Sequence, residues 1–386
     1  MWRSIASNAL TLFIVLLIAL GGLIGWGKSQ YVADGPLSDP ICLRVERGAT
    51  MVSVSGELEA RGAVSSPRIL RIGSDYSKKS SKLKAGSFLV PAGASMENIV
   101  DIVTQGGQST CGTEIVYRIG VNRIGVQVRE LDPTTNRFVE LVAFDPKAED
   151  VEVPAAFTEM RGRNDTRYRV ALAEGVTSWQ VVEGLKAIDL MTGDVPAVPP
   201  EGRLAPDSYE VSVGDDRGDL LAEMEGRQNV RLEEAWRNRA EGLPFDTLEE
   251  ALIMASIVEK ETGIAEERRK VASVFMNRLN KGMRLQTDPT VIYGITKGVG
   301  ILGRGLRQSE LRRETPFNTY VINGLPPSPI ANPGKASIAA ALNPEDTPYI
   351  FFVADGTGGH AFAETLAQHN ENVAKWRAIE AERGNE

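Results

Sequence analysis

The sequence predicts an α+β protein behind one N-terminal transmembrane helix. Three observations carry this: an uncharged apolar run near the start, a strand-turn-helix pattern that occurs three times, and a helix-rich second half broken late by prolines. At 386 residues the chain exceeds one ordinary core and should divide into two or three domains. Its net charge of -8 lacks the surplus of Lys and Arg that phosphate neutralisation needs, so no nucleic-acid partner is expected.

No charged residue stands between Arg3 and Lys28, and the run Ala9 to Gly27 is almost wholly apolar. At about 1.5 Å per residue, it just crosses a hydrocarbon core of roughly 30 Å. A cleaved signal peptide would have a shorter apolar region closed by a small-x-small site, so the expectation is an uncleaved transmembrane helix over 9–27. Arg3 favours a cytoplasmic N-terminus (1–8), although Lys28 on the far side thins that signal. The rest then lies outside the cytoplasm. There an even pair of cysteines, Cys42 and Cys111, can form a disulfide, and the sequence leaves open whether it does. With only those cysteines and two histidines, His360 and His369, no familiar zinc cluster can be assembled, and neither a metal nor another cofactor is expected.

The repeated pattern is an extended apolar residue, a Gly, then Thr or Ser opening a helix. Its copies are Val45 to Thr50, Val90 to Ser95 and Leu172 to Thr177. Gly48, Gly93 and Gly175 permit the tight turn, and the hydroxyl caps the following helix. In the first and third copies Val52, Val54, Leu58 and Ala60 correspond to Trp179, Val181, Leu185 and Ala187. Between the first two copies the chain reads as strand 41–46, helix about 50–62, helix about 66–73 and strand 87–91. That βααβ order resembles a LysM-like module (41–107), a small fold known for binding cell-wall glycans.

Residues 113–150 alternate apolar and polar side chains and read as β-hairpins within a β-rich insert (108–165). Pro196 to Pro200 forms a stiff connector inside a C-terminal mixed α/β domain (166–386). There a helix is expected from Asp246, with Glu249 as its reciprocal capping partner, to Thr262 before Gly263. A second spans about Glu266 to Lys281 and buries Val271, Val274, Phe275 and Leu279. Tyr349 to Val353 reads as a buried strand, and Leu366 to Glu382 as a closing helix.

Glu259 falls four residues after Ala255 and seven after Leu252, on the apolar face of its helix. Desolvation there disfavours the carboxylate, which suits a general acid that must protonate a glycosidic oxygen. The alternative from spacing alone is a buried Glu paired to Arg268 or Arg278. Glu261 is expected on another, solvated side.

The block Ala255-Ser256-Ile257-Val258-Glu259-Lys260-Glu261-Thr262 runs on through Glu267 to Leu279 and Arg284 to Gly294. Further segments are Asn318-Thr319-Tyr320, Gly324-Leu325-Pro326-Pro327, Ile330-Ala331-Asn332-Pro333-Gly334, Phe352 to Gly356, Gly358-Gly359-His360 with Phe362, and His369-Asn370. Together they closely resemble the endolytic murein (peptidoglycan) transglycosylase family, MltG or YceG-like, over about 165–376. The resemblance implies that Glu259 is catalytic and that the reaction is lytic: one Glu protonates the bond leaving MurNAc, then takes the proton of the C6 hydroxyl as it closes on C1. It also implies that Gln286, Thr287, Asp288, Tyr293, Asn318, Tyr320, Asn332, His360 and Asn370 hold sugars. Implied partners are nascent glycan strands, the inner membrane and the peptidoglycan synthases (penicillin-binding proteins), with the catalytic domain periplasmic. Turn formation before proline or half-buried packing would explain several of these residues without function. Ser328, Ala361, Ala363 and Arg203-Leu204-Ala205-Pro206 depart from the family pattern, which loosens the sugar-site expectations near 205 and 361. A water-using muramidase and a non-catalytic wall-binding scaffold are the rival readings.

Overall fold

The first element, α1 (Trp2–Val32), carries straight through the apolar run, and from Leu10 to Trp26 its residues are exposed. The segment Leu10–Val32, with mean hydropathy 2.3, is long and apolar enough to cross a membrane. The computed structural model describes residues 2–46, 48–105, 110–148, 150–163 and 166–383. Met1, Arg47 of the first strand-turn-helix copy, the Arg3 side chain and the boundary residues 107, 108 and 165 lie outside that description.

After α1 come β1 (Ile41–Val45), α2 (Met51–Ala60), α3 (Pro67–Tyr76), β2 (Gly86–Val90), α4 (Met96–Thr104), β3 (Thr113–Ile119), β4 (Ile124–Asp132), β5 (Arg137–Phe144) and α5 (Ala155–Arg161). Then follow β6 (Arg167–Leu172), α6 (Ser178–Lys186), β7 (Ser208–Val211), α7 (Arg217–Arg237), α8 (Leu248–Glu261), α9 (Arg268–Asn280), α10 (Asp288–Thr296), α11 (Gln308–Arg312), α12 (Lys335–Leu342), β8 (Phe351–Ala354), β9 (His360–Ala363) and α13 (Leu366–Arg383). The strands form sheets of order β1-β2, β5-β4-β3-β6-β7 and β8-β9. The expected hairpins of 113–150 are thus present as β3, β4 and β5.

The chain divides into two units. One comprises Met1–Val116, Gln127–Phe144 and Asp150–Tyr168; the other Tyr117–Val126, Asp145–Glu149 and Arg169–Glu386. In the first, β1 and β2 pair antiparallel with Ile41 opposite Val90, and α2 and α3 lie between them in sequence. Its core gathers Leu43, Val54, Leu58, Leu70, Phe88, Ile99 and Val100, joined by Tyr31 from the end of α1. Cys42 and Cys111 are joined, closing a loop of 69 residues' separation.

All three strand-turn-helix copies form as expected. Gly48, Gly93 and Gly175 take φ of 79°, 68° and 78°, which a side chain resists. Thr50, Ser95 and Thr177 cap α2, α4 and α6 by accepting from the backbone N–H three residues on. Val54 and Leu58 are buried like their counterparts Val181 and Leu185, whereas Ala60 and Ala187 are both exposed.

In the second unit α8 sits at the heart of a core with α9 and α12. Its eight residues Ala251 to Val258 are all buried, so this helix has no solvent face along that stretch. Its cap is Thr247 with Glu250 as reciprocal partner, one residue beyond the expected Asp246 and Glu249. Both pairs satisfy the capping pattern, and the side chain that reaches N3 decides. The strand expected at Tyr349 to Val353 is Phe351–Ala354 and is only half-buried, because it pairs in a two-stranded hairpin with β9.

Candidate active site at the end of helix α8

The last turn of α8 presents Glu259, Lys260 and Glu261, all three partly buried. Glu259 meets the backbone of a neighbouring segment: Gly334 N–H donates to its Oε2 at 3.0 Å. Gly334 is also the N-cap of α12, so the carboxyl lies at a helix N-terminus, whose partial positive charge favours an anion. A side chain at 334 would overlap the Glu174 carboxylate. Glu174 belongs to the third strand-turn-helix copy, and Arg268 reaches its Oε2 at 3.8 Å. Burial, and then the charge of Glu259, push the Glu174 carboxyl above its ordinary range. The Glu259 surroundings are therefore polar rather than the apolar ones its spacing suggests. Among the described residues neither Arg268 nor Arg278 pairs with it: Arg278 donates instead to the carbonyls of Ile350 and Leu285.

Lys260 donates to Gly175 O at 3.2 Å, and burial lowers its pKa against the upward pull of Glu259 and then Glu201. Glu201 accepts from the Ser178 N–H at 2.7 Å and from the Tyr293 hydroxyl at 3.2 Å, and burial raises its carboxyl. Glu261 is not solvated as its helical position suggests. Its carboxylate accepts from the Thr287 hydroxyl, and desolvation, reinforced by Asp288, raises its pKa. The physical reason is that α8 is buried all round, so position on the helical wheel does not predict exposure.

The residues expected to hold sugars separate into different surroundings. Thr287, Asp288, Tyr320 and His360 gather about Glu261: the Tyr320 hydroxyl donates to Asp288 Oδ1 at 2.7 Å, and Glu267 accepts from the His360 backbone at 2.9 Å while meeting its ring at 2.7 Å. Tyr293 belongs with Glu201 and packs on Phe317. Asn332 is wholly buried with its amide spent internally, accepting from Leu204 N–H at 2.9 Å and donating to Val176 O at 3.1 Å. Asn318 is likewise buried; its amide donates to the carbonyls of Glu310, Leu311 and Arg313. These two shape loops, and neither presents its side chain outward. Gln286, at φ 50°, and Asn370 on α13 are exposed. Sequence reading missed Glu174, Glu201 and Lys260. The one available signal for Glu174 was its place beside Gly175 in the repeated turn.

The chain matches the YceG-like family over residues 144–375, a span holding every site residue named above. The chain belongs to that family. It is 27% identical over 365 residues to the endolytic murein transglycosylase of Bacillus subtilis (strain 168), covering 93% of this chain and 91% of that protein. It is 26% identical over 383 residues to the endolytic murein transglycosylase of Streptococcus pneumoniae (strain D39), covering 94% of this chain but 64% of that longer protein. A crystal structure of a putative yceG-like protein from Listeria monocytogenes aligns with TM-score 0.45 and 23% identity, over 86% of this chain and 98% of that one.

Proposed function

We propose that this chain is a membrane-anchored endolytic transglycosylase that cuts the MurNAc-GlcNAc bonds of nascent peptidoglycan strands and leaves 1,6-anhydroMurNAc ends. The observation that carries this is kinship over nearly the whole length with a protein named endolytic murein transglycosylase. In the proposed mechanism Glu259 is the acid and then the base. Its Oε2 is held by Gly334 N–H, which leaves Oε1 to carry the proton. That proton passes to the glycosidic oxygen as the bond to C1 breaks. The carboxylate so formed is stabilised by the N–H and the α12 terminus until the C6 hydroxyl closes on C1 and returns a proton to it. Ring closure within one sugar has a large effective concentration and consumes no water, so no second carboxylate is needed to position one. Asp288, Tyr293, Tyr320 and His360 are the candidates for sugar contacts, with Gln286 and Asn370 at the exposed edge. Thr287, Asn318 and Asn332 act from within by fixing the loops that carry them.

The remaining organisation is part of the same proposal. Residues 41–107 serve as a LysM-like glycan-binding module, supported by the βααβ order and the β1-β2 pairing. Residues 108–165 are a β-rich linker, and 166–386 the catalytic domain. Helix α1 anchors the chain in the inner membrane with its N-terminus cytoplasmic and its bulk periplasmic, so that cleavage is confined to strands newly made at the bilayer, beside the penicillin-binding proteins that polymerise them. Mass analysis of digested peptidoglycan is the test. Anhydro ends are expected from the wild type; ends heavier by one water would make the enzyme a muramidase. Undiminished cleavage by a folded Glu259→Gln protein would remove Glu259 from the chemistry.

A further inference from the structure

Helix α1 continues beyond the apolar run that ends at Gly27, as far as Val32. Its final turn enters the first unit, where Tyr31 is 9% exposed and its ring lies against Gly73 of α3, so closely that any side chain at 73 would collide with it. Counting about 20 residues for the hydrocarbon core from Leu10 brings the chain to about Ser29, so Gly73 stands within one helical turn of the bilayer boundary. Helix α3 is strongly two-faced: Leu70 and Ser74 are buried, whereas Ile72 is 68% and Tyr76 91% exposed. Of the seven charged residues from Ser66 to Lys84 only Asp75 is acidic, in a chain whose net charge is -8. Lys79 is neutralised by Asp101, while Arg68, Lys78, Lys82 and Lys84 are exposed.

We propose that α3 and the basic segment after it, through Lys84, form a docking surface for anionic lipid headgroups, with Ile72 and Tyr76 inserted at the interface. Continuity with the membrane span sets the height of the patch, and charge complementarity selects the occupant. An exposed aliphatic and a tyrosine beside lysines have the composition that settles at headgroup level, and each cation is drawn to an anionic leaflet within a Debye length. The first unit is thereby held against the bilayer by two attachments, helix and patch, instead of pivoting on the helix. This inference rests on α1 being a membrane anchor, and goes beyond the proposed activity.

Both native cysteines are bonded, so Ser77→Cys in the full chain gives a single free thiol for a polarity-sensitive fluorophore. The labelled protein is placed in nanodiscs of phosphatidylcholine alone or with phosphatidylglycerol, each carrying headgroup-region nitroxide lipid. Quenching is expected to be about twofold greater in the anionic discs, and to fall to the neutral level when Arg68, Lys78, Lys82 and Lys84 are changed to Glu. Equal quenching in both discs, or a label that stays open to aqueous iodide, overturns the docking surface. A chain that does not incorporate into discs overturns the anchor and the docking with it; one that incorporates with an aqueous label overturns the docking alone. Cleavage of peptidoglycan by the labelled protein, measured alongside, shows that the variant is folded.

Discussion

Residue 334 stands where the proposed catalytic carboxyl meets the start of α12. Its N–H donates to Glu259, its carbonyl accepts from the Ile338 N–H in the first turn of α12, and the absence of a side chain leaves room for Glu174. Glu259→Gln is expected to lower kcat by about 10²- to 10⁴-fold without lowering the melting temperature. Gly334→Ala must displace Glu174 and shift the carboxyl beside it, so its kcat should drop by about 10²-fold while Glu259 itself remains. Steady-state cleavage of isolated glycan strands measures both. Glu261 gives a prediction of different sign. Desolvation raises its folded pKa, so the folded state holds its proton more tightly than the unfolded chain does. The stability this brings is complete below the ordinary Glu pKa and is lost as pH rises through the folded value. Melting temperatures of wild type and Glu261→Gln should therefore converge in acid, and the variant should become relatively more stable as pH climbs above the ordinary carboxylate range.

At the scale of elements, the three capped helices offer a graded comparison. Thr50 is exposed and caps α2 alone, so Thr50→Ala should cost about 1 kcal/mol. Thr177 caps α6 and also donates to Gly298 O at 2.7 Å from a buried position, so Thr177→Ala should cost about 2 kcal/mol. Urea unfolding of the two variants checks the difference. These caps were legible in the sequence because a Gly turn followed by a hydroxyl is a local signal, complete within six residues. The existence of α8 and α9 was legible from apolar spacing. The environment at the end of α8 was not: a helix covered on every side erases the distinction between faces on which the reading of Glu259 and Glu261 relied. Nor was the company of Glu201, whose partners Ser178, Tyr293 and Asn332 arrive from other parts of the chain. No short-range pattern encodes such a meeting.

Over the whole molecule, the Cys42–Cys111 bond lies entirely within the first unit. Closing a loop of that length constrains the unfolded chain by about 2–4 kcal/mol. Reduction, or replacement of both cysteines by Ser, should lower the melting step of the first unit and leave that of the second in place, which calorimetry can resolve. The family segment was legible because many short motifs fall in order along it, and the long apolar helix α1 because uncharged length is a one-dimensional property. The buried Asn332 amide has a consequence of its own. It ties Val176, Leu204 and Glu201 together from one point, and its own backbone bonds Gly175 and Val176 as well. Such a knot has no half-tied form, so warming the enzyme should extinguish its activity in one sharp step, with no weakened intermediate surviving on the way.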